Sequence, residues 1–83
     1  MTRQELNRDI KRLRINYLKA KETLEGDSYY QSITDKIQPE FKRLYRAASN
    51  GEYMNQASFR FMYRVNLIHK FVPLHMFMIQ MDI

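Results

Sequence analysis

The sequence predicts an all-α fold, a three-helix bundle or a helical hairpin plus a third helix, in a single helical domain spanning residues 1–83. Three observations carry this. Two stretches place apolar residues at helical steps, and a third runs long without a breaker. Only two glycines and two prolines occur, too few for a linker or a low-complexity chain. Cysteine is absent, so neither a disulfide scaffold nor a thiolate metal site supports the chain. For 83 residues and 10.2 kDa, folding hides about two-thirds of the chain's surface, which suits one core and not two.

The first helix is expected over about 3–25. Thr2 and Glu5 have the spacing of a capping box, the Thr2 hydroxyl accepting from the Glu5 amide and Glu5 reaching back to the Thr2 amide. Leu6, Ile10, Leu13, Tyr17, Ala20 and Leu24 then recur at alternating steps of four and three, a seam suited to one face of a bundle. Gly26 is the expected left-handed residue just past its end.

The second helix is expected over about 29–49. Ser28 and Gln31 offer another capping box, and Ile33, Ile37, Phe41, Leu44 and Ala48 form its stripe. Pro39 lies inside it. A proline there lacks the amide proton and presses on the carbonyl four residues back, that of Asp35. Because the stripe keeps its phase across Pro39, a kinked helix is expected rather than two separate ones. Asn50-Gly51 is the stop. Lys42, Arg43 and Arg46 suit the helix dipole near the C-terminal end.

The third helix is expected over about 55–71, capped by Asn55. Its pattern competes with that assignment. Phe59, Phe61, Tyr63, Val65 and Leu67 alternate with Arg60, Arg64 and Asn66, as a half-buried strand would, and only Met62 breaks the alternation. Helix prevails because a lone strand has no ladder partner and no hairpin turn lies between His69 and Pro73. The tail, 74–83, is apolar and methionine-rich, and is expected to pack on the bundle or on a partner.

Function is approached through charge and exclusion. Lys and Arg number 14 against nine Asp and Glu, giving a net charge of +5. Most of the excess lies in the first helix, where residues 1–25 carry seven Lys/Arg against four Asp/Glu. Arg8, Arg12 and Lys19 share a helical face, Lys11 lies beside them, and Arg14 and Lys21 flank it. These six are the candidate phosphate-binding residues. The candidate protein-interface residues are Phe59, Tyr63, Phe71, Met76, Phe77, Met78, Ile79 and Met81, large apolar groups in the C-terminal third.

Catalysis is not expected. His69 and His75 are six apart across Pro73 with no evident carboxylate partner, two glycines cannot build a phosphate-cradling loop, and no nucleophile motif frames a serine. No cofactor or metal is expected. Residues 1–14 are too charged for a secretory leader, and the apolar run from Phe71 to Ile79 falls well short of the roughly 20 residues of a membrane span. The expected address is the interior of a cell. The expected function is a non-catalytic, basic binding protein that engages nucleic acid, RNA without sequence specificity or a nucleoprotein. In size, charge and helical economy the chain is similar to small phage or mobile-element proteins that bind larger machinery. The alternatives, carried by the aromatic and methionine-rich C-terminal third, are a protein–protein inhibitor or adaptor, or a homo-oligomeric virion or structural component.

Overall fold

The computed structural model describes residues 1–49 and 52–77, and these residues contain helices and no strand. Helix α1 spans Arg3–Thr23. Helix α2, Gly26–Ser32, passes through a π-turn, Ile33–Ile37, into α3, Gln38–Ala47. Helix α4 spans Gln56–His69. None of the described helices is long and apolar enough to cross a membrane.

The cap on α1 forms as the spacing predicts on one side only. Thr2 Oγ1 accepts from the Glu5 amide at 3.1 Å, but the Glu5 carboxylate takes the Thr2 hydroxyl proton at 3.0 Å rather than the Thr2 amide. The seam residues Leu6, Ile10, Leu13, Tyr17 and Ala20 are all buried. The helix ends two residues before the expected position because Leu24 turns extended. Gly26, with φ +58°, supplies the left-handed residue that opens α2 instead of closing α1. Ser28 is consequently inside α2 and makes no cap; Gln31 donates to the Asp35 carboxylate at 2.6 Å instead of serving a capping box.

Across Pro39 the backbone stays helical, with right-handed α dihedrals at Ser32, Ile33, Ile37 and Gln38. The departure from α geometry lies just ahead of the proline, where the Gln38 amide bonds the Ile33 carbonyl five residues back. This wide turn places Pro39 in the first turn of α3, where its missing donor costs little. It also corrects the stripe. Two successive steps of four in an α-helix drift by about 80°, since each residue advances about 100°. A wide turn advances less per residue, so Ile33, Ile37 and Phe41 all reach the core.

Helix α4 settles the competing patterns. Asn55 caps it by accepting from the Ser58 amide at 2.8 Å, and its buried residues are Ser58, Met62, Val65 and Asn66, a helical spacing. Met62, the residue that interrupts the alternation, is 0% exposed, whereas Phe59, Phe61 and Tyr63 are half-buried.

Helix α1 packs against both the π-turn and α3, and also against α4. Asn7 ties it to the segment before α4, its Nδ2 donating to the Tyr53 carbonyl at 3.1 Å and its Oδ1 accepting from the Asn55 amide at 2.9 Å. After α4, Lys70 adopts a left-handed conformation and the chain turns back. That reversal sets Phe77 among α3 and α4, with ring centroids 5.0 Å from Tyr45, 5.7 Å from Phe59, 5.9 Å from Tyr63 and 6.4 Å from Phe41. The tail therefore closes the intramolecular core at least as far as Phe77.

Candidate functional site

The geometry of α1 divides the six basic candidates. Arg12 and Lys19 face the groove between α1 and the α2–α3 rod, a space of about 650 Å³ that also holds Lys36 and Arg43. Arg8 stands beside this groove through Asp9. The Asp9 carboxylate has Arg8 at 3.7 Å, Arg12 at 4.0 Å and, across from α3, Arg43 at 3.7 Å. Arg43 is also held by the Glu40 carboxylate on its own helix. Much of the positive charge on this flank is thus offset locally.

Lys11, Arg14 and Lys21 lie on the opposite flank, toward α4. There Arg14 and Lys21 meet Arg60 and Arg64 across a groove of about 420 Å³. Lys11 joins through an adjoining hollow of about 240 Å³ that shares Arg14, Ala57 and Phe61. Among the described residues, none of these five cations lies within ion-pair distance of a carboxylate. Like charges gathered this way repel one another and concentrate a positive potential, which an anion relieves.

The floor of the groove is aromatic. Tyr17 and Phe61 meet edge to face with centroids 6.0 Å apart. Lys21 Nζ rests 5.6 Å above the Tyr17 ring, a cation–π arrangement that orients the ammonium over the floor. The Tyr17 hydroxyl bonds His69 Nε2 at 3.0 Å, and His69 stacks on Phe71 with centroids 5.2 Å apart. Burial, with Lys21 nearby, holds the His69 imidazolium pKa below its ordinary value, and burial pushes the Tyr17 phenol well above its own. The two groups are a neutral hydrogen-bonded pair at neutral pH that supports the floor. Leu18 and Ile68 line the same groove and remain 45% and 64% exposed.

Sequence reasoning overlooked Arg60, Arg64, Leu18 and Ile68. The signal was present once residues 55–71 were taken as helix. Arg60 and Arg64 are then four apart and Phe61 and Ile68 seven apart, so each pair shares a face.

Of the interface candidates, Phe77 is fully buried, because the turn after Lys70 inserts it into the core. Phe59, Tyr63, Phe71 and Met76 are half-buried and pack against that same core. Met78, Ile79 and Met81 lie outside the described residues. His75 is exposed, and among the described residues no group of three or more His, Asp or Glu side chains is arranged to hold a metal ion.

Compared with known proteins, the chain matches no family model, no curated protein and no solved structure.

Proposed function

We propose that the protein is a non-catalytic binder of nucleic acid, alone or within a nucleoprotein, and that it holds the phosphate backbone in the groove between α1 and α4. The observation that carries this reading is the convergence of Arg14, Lys21, Arg60 and Arg64 from two helices on one groove without carboxylate partners among the described residues. Contacts of this kind are non-specific in sequence, because phosphates are the same at every nucleotide.

The test is the salt dependence of binding to a fluorescent RNA or DNA oligonucleotide. Four phosphate contacts give a log K against log salt slope of roughly −3, and each cation reversed to glutamate flattens it by roughly 0.7–0.9. Joint reversal of Arg14, Lys21, Arg60 and Arg64, all solvent-exposed, should abolish binding while leaving the helical circular dichroism intact. Unchanged affinity and slope in that variant would overturn the proposal.

A further inference from the structure

We infer that the nucleic acid held in the α1–α4 groove is single-stranded; this rests on the phosphate-binding reading of that groove. The groove is more than a cluster of cations. Leu18 on α1 and Ile68 on α4 stand in it at 45% and 64% exposure, beside the half-buried ring of Phe61. A duplex turns its phosphates outward and stacks its bases on one another, so it has no free base face to set against these side chains. A single strand offers both parts at once, phosphates for the cations and unstacked base faces for the apolar surface.

The dimensions agree. Along α1 the cationic run from Lys11 to Lys21 is about 15 Å at about 1.5 Å per residue. A flexible single strand can lie along it. In the opposite groove of α1 the two arginines, Arg12 and Arg43, already face Asp9 and Glu40.

The experiment compares three fluorescent or competing probes on the intact chain: a mixed-sequence single strand of about 12 nucleotides, the same sequence as a duplex, and inorganic polyphosphate, which has charge and no bases. The single strand should bind at least about fivefold more tightly than the duplex. The double variant L18S/I68S, altered only at exposed positions, should lose that preference and keep its affinity for polyphosphate. R60E/R64E should lose both. Equal affinity for strand and duplex, or a preference that survives L18S/I68S, overturns this inference while leaving backbone binding standing. Failure to bind any of the three overturns both. An acidic amphipathic peptide that binds the groove more tightly than the single strand also overturns both, and assigns the site to a protein partner.

Discussion

The side chain of Asn66 holds the backbone of Val72 from both sides: Nδ2 donates to the Val72 carbonyl at 3.0 Å, and Oδ1 accepts from the Val72 amide at 2.8 Å. Asn66 is 1% exposed, so its side chain is shielded from water, while Val72 is half-buried. This clamp fixes the reversal after Lys70 that brings Phe71 onto Phe41 and Phe77 into the gap between α3 and α4. Removing one partner of a buried hydrogen bond strands the other, which makes such pairs costly to break. Asn66→Ala should lower the stability by about 2–3 kcal/mol. In a domain of this size, that is a fall in Tm on the order of 10–20 °C. Amide exchange at Val72 should accelerate more than exchange in the middle of α1. Unaltered protection at Val72 would show that the reversal is held by packing alone.

Phe77 supplies a second test of the same region. It is 0% exposed and its ring meets four aromatic neighbours from α3 and α4. Phe77→Ala should cost about 3–5 kcal/mol, seen as a large drop in the urea midpoint of the free protein. An interface residue behaves otherwise: its truncation leaves the free protein's stability unchanged and weakens only a complex. The two outcomes separate a core role from a docking role without knowledge of a partner.

Stability should decline on both sides of neutrality, because burial shifts the pKa of both partners in the Tyr17–His69 hydrogen bond. Burial and Lys21 hold the His69 pKa below its ordinary value, which is about 6.5 in an unfolded chain. The unfolded state then takes up a proton more readily than the folded one. Stability from this group is complete above about 6.5 and is lost as pH falls toward the lower folded value. Tyr17 acts in the opposite sense. Its pKa is raised by burial, so above about 10 the unfolded phenol ionises first and stability falls as pH rises. Denaturant titrations over pH 5 to 11 should show a plateau bounded by these two declines. His69→Gln should remove the acidic decline and leave the alkaline one. An acid-side slope unchanged in that variant would assign the decline to other groups.

The two flanks of α1 should differ in their contribution to the proposed nucleic-acid binding. Reversal of Arg14, Lys21 and Arg60 to glutamate changes the net charge as much as reversal of Arg8, Arg12 and Lys19. The first set removes three cations free of carboxylates among the described residues, whereas Arg8 and Arg12 already face Asp9. The α4-side variant should flatten the log K against log salt slope by roughly 2–3, and the other by less than about 1. Equal effects would mean that net charge alone governs binding.

Local pattern was sufficient for the helices themselves. The seam of α1 from Leu6 to Ala20 and the stripe Ile33–Ile37–Phe41–Leu44–Ala48 are buried, Leu24 beyond the helix end is half-buried, and the Asn55 cap forms. These features depend on neighbours three or four residues away, and such neighbours are visible in the sequence. The π-turn was not legible: two steps of four still fall within one apolar face about 100° wide, and only the packed rod shows the wide turn ahead of Pro39.

What tertiary structure alone decided depends on residues far apart in the chain. A helical face has two flanks, and no local rule says which neighbour covers each. Once α4 settles against one side of α1, Arg14 and Lys21 join Arg60 and Arg64, while Arg12 and Lys19 are left with the α2–α3 rod. The sequence alone determined an all-α chain with a basic first helix and an apolar end. That Asn7 and Asn66 act as clamps, that Phe77 is core rather than surface, and that the cations form two unlike grooves follow from contacts spanning from six to nearly 50 residues, because a buried polar group or ring is satisfied only by whatever the completed fold places opposite it.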